Sequence, residues 1–377
     1  MTALGLGPRQ PGVARRAPLK KLELSVVVLT RDSTRTLRDV LEAIRASELE
    51  RVAYEIIVVD DASADGSAAV AARYADTVVK LTGRAAGPAY GRNRGAEIAR
   101  GDVIGFIDGD VVVRPDTLRR MLSAMAENPE ITALAASRDD SSCAPNFVSQ
   151  YWNLLLSFGE QREGRKAAQF AAGCGMVRRA EFLTAGMYDE WRFNTGCMET
   201  VELGERLSRA GHGVVLSPQM KVVHLKHWDL PSVAREVWHR SRVLARSLGY
   251  QRMSAAAPSE VVFTLSRALT PAVALLGTVT LAAAFVPAAH TLEKIGVGLA
   301  ALLVANLPVH RFYARSRGIL FTIASAPLHI FVQLVAAGAL CTGWILRDVF
   351  GDVSPDATIQ AYAEVGLEIW PPVPRKL

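Results

Sequence analysis

VIGFIDGDVVV, residues 103–113, is an apolar run that is interrupted by two carboxylates, Asp108 and Asp110. Because side chains alternate along a strand, both carboxylates are expected on the same side, where their like charges repel. A divalent cation would compensate for this repulsion, since carboxylate oxygens are ligands that suit Mg²⁺ and Mn²⁺. The stretch therefore predicts a buried strand that ends at a metal site.

The chain alternates strand-like and helix-like segments from residue 22 onwards. Apolar residues recur at helical spacing after the first strand, at Leu37, Val40, Leu41 and Ile44. Strand-like runs lie at 22–29, 54–61, 76–81 and 102–108. This alternation favours a parallel sheet covered by helices, as in nucleotide-binding α/β domains, where ligands lie at the carboxyl ends of the strands.

The second half of the chain is much more apolar than the first. Hydrophobic residues make up 50% of the 377 residues, although the net charge is +6. No Asp, Glu, Lys or Arg occurs in residues 268–292, 295–309 and 318–346. The first and third stretches exceed the ~20 residues that a helix needs to cross a bilayer, and the second is marginal. We therefore predict two or three membrane spans within residues 258–347.

Arginine-rich segments flank these apolar stretches. Residues 229–257 predict an amphipathic helix at the membrane interface or, alternatively, a surface helix packed on the soluble domain. The arginines at 311–317 place their loop in the cytoplasm by the positive-inside rule, and the soluble domain with it, in a multi-pass protein of the cell membrane. The C-terminal tail, 348–377, would lie outside after three full spans, or inside if the third stretch is re-entrant.

The N-terminus and the cysteines give weaker signals. Residues 1–21 carry positive charges without a sustained apolar core, which predicts a disordered basic arm rather than a signal peptide. The four cysteines match no CxxC spacing, and we interpret them as reduced residues.

Two further segments suit a nucleotide ligand. VVDDASADGS, residues 58–67, ends the second strand with acids that can accept hydrogen bonds from the N–H groups of a base. AAGPAYGRNRGAEIARGD, residues 85–102, combines glycines, which permit close backbone approach, with arginines that can neutralise phosphate. There is no GxxxxGK[ST] motif, and no GxGxxG follows the first strand, which disfavours a kinase or a dinucleotide enzyme.

Five ordered motifs resemble the glycosyltransferase family 2 enzymes with the GT-A fold, over residues 22–228. They are VVVLTRDS, VVDDASADGS, GRNRGAEIARGDVIGFIDGD, AAGCGMVRRAEFLTAGMYDE and CMETVELGERLSRAGH. The resemblance implies an α/β, Rossmann-like GT-A domain, here followed by an α-helical membrane domain. It also implies a nucleotide-diphosphate sugar as donor, Mn²⁺ or Mg²⁺ as cofactor, and inversion at the anomeric carbon. No nucleic-acid partner is expected.

The resemblance carries roles over to individual residues of this sequence. Thr30 and Arg31 would lie at the nucleoside edge, and Asp61 would bind the base ring. Arg92 and Asn93 would lie along the donor.

The remaining assignments concern the diphosphate and the acceptor. Asp108 would contact the ribose or the sugar, and Asp110 would bind the metal. His224 would complete the metal site or touch the diphosphate, unless it simply packs beside Trp228. The loop that faces the acceptor would consist of Gly173, Cys174 and Gly175.

The sequence departs from the family at the catalytic base. Family members usually have Glu-Asp at the start of a helix, with the Asp often serving as general base, whereas this chain has Glu199 and Thr200. Threonine cannot take a proton at neutral pH, so Glu199, or Glu202 one turn further, is the candidate base. Alternatively, the acceptor is an already ionised group, such as a polyprenyl phosphate, and needs no base.

The leading hypothesis is a membrane-anchored, inverting, metal-dependent glycosyltransferase that acts on a lipid or lipid-linked acceptor. The Gln-x-x-Arg-Trp signature of processive synthases is absent, which favours single addition. One alternative is a catalytically weakened relative that binds nucleotide sugar or scaffolds a membrane complex. Another is a nucleotidyltransferase, although LTRDSTRTL at residues 29–37 contains no glycine-rich loop with a lysine.

Overall fold

The structure, a computed structural model, describes residues 22–141, 144–163, 170, 173–191, 198–253, 303–350, 362 and 364–370. The predicted basic arm and the apolar stretch at 268–292 lie outside the described residues, as do Cys143, Cys197 and part of the stretch at 295–309.

A nine-stranded sheet forms the centre of the described residues. The order across the sheet is β5-β8-β6-β7-β4-β1-β2-β3-β9, with strands β1 (Leu24–Thr30), β2 (Tyr54–Asp61), β3 (Thr77–Thr82), β4 (Val103–Asp108), β5 (Val111–Val113), β6 (Ile131–Arg138), β7 (Cys174–Arg178), β8 (Gly213–His224) and β9 (Gly366–Trp370). The four strand-like runs of the sequence correspond to β1 to β4, so the predicted α/β sheet domain is confirmed.

Helices flank the sheet or extend from it. Those in the described part of the chain are α1 (Thr34–Arg45), α2 (Ser67–Tyr74), α3 (Pro88–Ile98), α4 (Thr117–Glu127), α5 (Phe147–Glu163), α6 (Arg179–Thr184), α7 (Glu199–Arg209), α8 (Leu230–Met253), α9 (Leu307–Arg317) and α10 (Ile319–Phe350).

The sheet is mixed, whereas the sequence predicted a parallel one. Strands β1 to β4 run parallel, but β5, β7 and β9 run antiparallel to the strands beside them. The chain turns at Gly109 and Asp110 directly after β4 and continues as β5, which pairs with β8. Asp108 therefore ends a strand and Asp110 lies in the turn that follows it, so the alternation expected along a single strand does not apply to them.

Apolar side chains on both faces of the central strands explain why helices cover both faces. Val26 and Val28 of β1 pack with α1, α2 and α4, while Val27 faces α3, α6 and α7. The predicted apolar face of α1 is fully buried, at Leu37, Val40, Leu41 and Ile44.

A second group of helices packs beside the sheet domain. Helices α5, α8, α9 and α10 share an apolar cluster that includes Tyr151, Trp152, Val233, Val237, Tyr313 and Val332. A helix lies at the predicted position, as α8, and packs against α5 and α10. Its location at a membrane interface stays a prediction. In the described part of the chain, residues 319–346 of α10 are the one segment long and apolar enough to cross a membrane, with a mean hydropathy of 1.9.

A buried polar cluster joins α5 to α10. The hydroxyl of Tyr151 lies 2.9 Å from Nδ1 of His329, whose Nε2 lies 3.1 Å from Oδ1 of Asn306. The side chains of Gln333 and Asn306 exchange hydrogen bonds of 2.9 and 3.2 Å. Buried polar groups are costly unless they are hydrogen-bonded, so this cluster fixes the position of α10 relative to the sheet domain.

The C-terminal residues, which the sequence predicted to be a tail over 348–377, contribute a strand. Strand β9 pairs antiparallel with the edge strand β3, from Val78 opposite Trp370 to Thr82 opposite Gly366. An edge strand leaves backbone N–H and C=O groups unpaired, and β9 satisfies those of β3. The sheet domain therefore includes residues far beyond the predicted boundary at 228.

We expect Gly95→Ala to destabilise the protein by about 1–3 kcal/mol, because the added methyl group overpacks the contact between α3 and the sheet. A Cβ at Gly95 would lie 2.4 Å from Cγ1 of Val27 and 3.0 Å from Cγ2 of Val59. The matched control is Gly159→Ala in α5, where a Cβ would meet nothing within 4 Å. Thermal unfolding in mild detergent measures both variants, and a Gly95→Ala midpoint at or above that of Gly159→Ala would contradict the packing described.

Candidate active site

Polar residues meet where several central strands end, at the carboxyl-terminal edge of the sheet. Since β1, β2 and β4 are parallel, their last residues, Thr30, Asp61 and Asp108, lie at the same edge. The backbone N–H of Asp108 donates to the carbonyl oxygen of Gly173, which directly precedes β7. A Cβ at Gly109 would lie 3.0 Å from Oγ1 of Thr30, so the turn after β4 passes close to β1.

His224 ends β8 and faces Gly173. A Cβ at Gly173 would lie 2.9 Å from Cε1 and 3.0 Å from Nε2 of His224, so only glycine fits there. Its φ of +101° also favours glycine. The N–H of Leu225 donates to the carbonyl oxygen of Asp110 at 2.8 Å, which brings the end of β8 beside the turn that follows β4.

The predicted acceptor-side loop is largely strand. Cys174 is the first residue of β7 and pairs with Ile107, and Gly175 pairs with Phe106 of β4. Burial, and then the charge of Asp108, raise the pKa of the Cys174 thiol to about 12, so that it stays protonated at neutral pH. Of the predicted loop, Gly173 alone precedes the strand.

Arg92 of α3 links the strand edge to the start of α7. Its Nη2 donates to Oδ1 of Asp108 at 2.8 Å, and its Nη1 donates to Oε1 of Glu199 at 3.0 Å. Burial lowers the pKa of Arg92, but the charges of Asp108 and Glu199 outweigh it and raise the pKa. Glu199 is 3% exposed, and its Oε2 is buried without a hydrogen-bond partner among the described residues.

The other predicted base, Glu202, is engaged elsewhere. Its two carboxylate oxygens accept hydrogen bonds of 2.7 Å each from Nε and Nη2 of Arg206. Arg206 also donates to the carbonyl oxygens of Ala185 and Met187, the latter at 2.6 Å. Glu202 therefore orients Arg206, which binds the turn after α6, while Glu199 is the acid that pairs with Arg92.

Asn93, predicted to lie along the donor, forms its side-chain hydrogen bonds with other residues of the protein. Its Oδ1 accepts the N–H of Tyr188 at 3.0 Å, and its Nδ2 donates to the carbonyl oxygen of Tyr188 at 2.9 Å and to Oε2 of Glu190 at 2.6 Å. These bonds fix the 188–190 segment, and the ring of Tyr188 lies 5.7 Å from the Arg92 guanidinium carbon.

The nucleoside end of the predicted site is also shaped by backbone contacts. Oδ1 of Asp61 accepts the N–H of Ala86 at 2.7 Å, and Oδ2 accepts that of Gly87 at 3.0 Å. Each carboxylate oxygen has two lone pairs, so Asp61 retains acceptor capacity for a ligand. Arg31, after β1, has a side chain that is 58% exposed.

The donor set fits a divalent cation that also binds substrate. Asp110 is half-buried, and burial, followed by the charge of Asp108, raises the pKa of its carboxyl. Within the described ranges, no three His, Cys, Asp or Glu side chains form a metal cluster. Mg²⁺ typically takes one or two protein carboxylates and completes its shell with phosphate oxygens and water. Asp110, with His224 beside it, suits that incomplete kind of site.

Sequence reasoning missed several residues around this edge. Arg138, at the end of β6, forms a buried ion pair with Glu160 at 3.0 Å, and its charge partly offsets the rise in the pKa of Asp110 that burial causes. Tyr188 and Glu190 lie within a motif quoted from the sequence, but nothing in the motif indicates their contacts with Asn93. Tyr362 donates to the carbonyl oxygen of Glu190 at 2.6 Å from a segment 172 residues away in the chain.

Comparison with known proteins identifies the domain. Residues 25–185 match the family model described as Glycosyl transferase family 2. The succinoglycan biosynthesis protein ExoO of Rhizobium meliloti is 40% identical over 102 residues, which are 26% of this chain and 29% of that protein. The glucosyl-dolichyl phosphate glucuronosyltransferase of Haloferax volcanii is 26% identical over 185 residues, 46% of this chain and 58% of that protein. The matches thus span less than two thirds of either relative.

A solved structure extends the similarity to the fold. The mannosyltransferase PcManGT of Pyrobaculum calidifontis, solved with GDP-Man and Mn²⁺, aligns with a TM-score of 0.54 at 16% identity, over 89% of this chain and 91% of that chain. The expected GT-A-like α/β fold is confirmed. Residues 25–185 thus match a glycosyltransferase family 2 domain. Among the described residues, one apolar segment, in α10, is long enough for a membrane anchor.

We expect Arg92→Leu to lower the free energy of unfolding by about 3–5 kcal/mol, because it leaves Asp108 and Glu199 without the charge that compensates them. Chemical unfolding followed by tryptophan fluorescence measures the loss. The control is Arg38→Leu, which removes the exposed ion pair with Glu42 and should leave stability unchanged. Equal stability of the two variants would refute the structural role of Arg92.

Proposed function

We propose that this chain is an inverting glycosyltransferase that moves one sugar from a nucleotide-diphosphate sugar to a lipid or lipid-linked acceptor at the cytoplasmic face of the cell membrane. The observation that carries the proposal is the Arg92 bridge between Asp108 and Glu199. It sets a buried carboxylate with an unused oxygen beside the strand edge where ligands of such sheets lie.

The donor would lie along this edge from the nucleoside to the sugar. Thr30, Arg31 and Asp61 would contact the nucleoside, and Asp108 the ribose or sugar. Arg92 would act on the donor through Asp108, since both of its bonded nitrogens are engaged by carboxylates. The structural neighbour that was solved with GDP-Man supports a nucleotide-sugar ligand for a fold of this kind.

Glu199 is the proposed general base. In the transfer, the acceptor oxygen forms a bond to the anomeric carbon on the face opposite the diphosphate. The bond from that carbon to the diphosphate oxygen breaks, and the nucleoside diphosphate leaves with the electron pair. The acceptor hydroxyl gives its proton to Oε2 of Glu199, the oxygen that Arg92 does not bond.

Asp110 and His224 would hold Mn²⁺ or Mg²⁺. The cation would supply charge neutralisation to the leaving diphosphate. Burial and then the charge of Asp108 raise the pKa of Asp110, and a cation bound there would offset both effects. Cys174 is unsuited, since its thiol stays protonated at neutral pH.

The lipid acceptor is proposed from the helical half. Helix α10 presents apolar residues to its surroundings, among them Leu320, 80% exposed, and Ile323, 64% exposed. Such a surface suits contact with lipid chains. The Haloferax volcanii relative, which is named for a dolichyl-phosphate-linked substrate, supports an acceptor of this class.

A second candidate is a catalytically weakened relative that binds nucleotide sugar or scaffolds a membrane complex. The observation in its favour is Thr200, which stands where family members usually have the aspartate base. The test is to incubate the full chain in detergent with nucleotide sugars, Mn²⁺ and lipid-extract acceptors. Transfer or hydrolysis supports the enzyme, whereas donor binding without turnover of any donor supports the second candidate.

We expect Mn²⁺ with UDP or GDP to raise the melting temperature by several degrees at pH 7.5, because a ligand at 100 times its Kd stabilises the fold by about 2.7 kcal/mol. Asp110→Asn should abolish the part of the shift that depends on the cation. Since the pKa of Asp110 is raised, this part should fade on acidification at a higher pH than an ordinary aspartate would give. An undiminished cation effect in Asp110→Asn would refute the metal assignment.

We expect Glu199→Gln to lower kcat by about 10²–10⁴-fold with little change in the donor KM, since glutamine can still accept from Arg92 but cannot take a proton. Glu202→Gln should lower kcat far less, because Glu202 is bound to Arg206. Initial rates with a radiolabelled donor measure both. Near-full turnover of Glu199→Gln would instead indicate an acceptor that is already ionised, such as a lipid phosphate.

A further inference from the structure

The C-terminal segment, residues 362 and 364–370, lies at the same edge of the sheet as the proposed nucleoside contacts. Leu81 of β3 pairs on one side with Asp61 of β2 and on the other with Leu367 of β9. The residues that precede β9 therefore reach the carboxyl ends of β2 and β3. This segment follows α10 in sequence, yet it packs on the catalytic domain.

The approach of this segment to the domain is close and depends on glycine. Gly83, directly after β3, has a φ of +89°, and a Cβ there would lie 2.2 Å from the carbonyl oxygen of Glu364. The carboxylate of Glu364 lies 3.6 Å from Nη1 of Arg84. Backbone pairing, a glycine-dependent contact and an ion pair thus hold the segment at one place.

Tyr362 makes the contacts that reach the site. Its ring centroid lies 4.5 Å from that of Tyr90 and 5.5 Å from that of Trp191. Its hydroxyl donates to the carbonyl oxygen of Glu190 at 2.6 Å. Burial first, and the charges of Glu190 and Asp61 among its neighbours, raise the pKa of Tyr362, so the hydroxyl remains a donor at neutral pH.

Two of the contacts of Tyr362, those with Tyr90 and Glu190, lead to residues around the proposed donor site. Tyr90 lies in the first turn of α3, just after the two N–H groups that Asp61 holds, those of Ala86 and Gly87. Glu190 belongs to the segment that Asn93 fixes from its other side. Tyr362 therefore braces the start of α3 and the 188–190 segment at once.

We propose that Tyr362 is a positioning residue of the donor site, through which the C-terminal segment acts on the nucleoside end. This inference rests on the proposed function. The ring of Tyr362 holds the first turn of α3 in the conformation that receives the nucleoside. It thereby also positions Ala86 and Gly87, the two residues before α3 whose N–H groups bind Asp61. Residues that follow the apolar helices thereby set the affinity of the catalytic domain for its donor.

The test compares variants of the full chain by calorimetric titration with UDP and GDP and by steady-state kinetics. We expect Tyr362→Ala to raise the nucleotide Kd and the donor KM about tenfold, while kcat and the acceptor KM stay within about twofold. Tyr362→Phe keeps the ring and should recover most of the affinity. Tyr362→Leu, which keeps much of the buried apolar area, should behave like Tyr362→Ala, so that general loosening of the segment is distinguished from loss of the aromatic contact.

The matched control is Ile369→Thr. Ile369 lies on β9, is 52% exposed and pairs with Val79, away from Tyr90 and Glu190. Its substitution should leave donor binding unchanged. Equal nucleotide Kd values for wild type, Tyr362→Ala and Tyr362→Leu would overturn the inference, as would an equal loss in Ile369→Thr. Wild-type protein that binds neither nucleotide would refute the proposed function instead, so the two failures are distinguishable.

Discussion

The buried guanidinium of Arg92 is the interaction on which the candidate site depends. Helix α3 carries it, the next element β4 supplies Asp108, and α7 supplies Glu199 from 107 residues away, so three elements must meet for the charge to be compensated. An uncompensated buried charge is strongly destabilising, which makes the geometry of the two carboxylates a condition of stability as well as of chemistry. The ring of Tyr188 lies beside the same guanidinium, and the backbone of Tyr188 is hydrogen-bonded by Asn93. The 188–190 segment is thereby linked to the Arg92 cluster.

Local patterns in the sequence predict the elements but not their non-local partners. The apolar runs predict β1 to β4, and helical spacing predicts the buried face of α1, because both depend on neighbours within one element. The same residues give no signal that Asn93 would bind Tyr188 and Glu190, or that Arg206 would bind the carbonyl oxygen of Met187. Those roles follow from which loops meet in space. The mixed direction of the sheet was missed for the same reason, since the turn at Gly109 and Asp110 sends β5 to a distant partner, β8.

Side-chain contacts, in addition to the covalent chain, connect the helical half to the candidate site. Tyr151 of α5 forms a buried hydrogen bond of 2.9 Å with His329 of α10. Near the other end of α5, Glu160 pairs with Arg138, whose charge acts on Asp110. A hydrogen bond in an apolar setting has a strong positional preference, since breaking it leaves two polar groups unsatisfied. The apolar helix and the edge of the sheet are therefore expected to move together as one unit.

The pairing of β9 with β3 also constrains how the chain can thread a bilayer. The sheet contains β8, which precedes the apolar stretches, and β9, which follows them, so both ends of the helical half lie on the same side of any membrane. The number of crossings between them must then be even. If α10 crosses the bilayer, the chain therefore has to cross it a second time between β8 and β9, and β9 lies in the compartment that holds the catalytic domain.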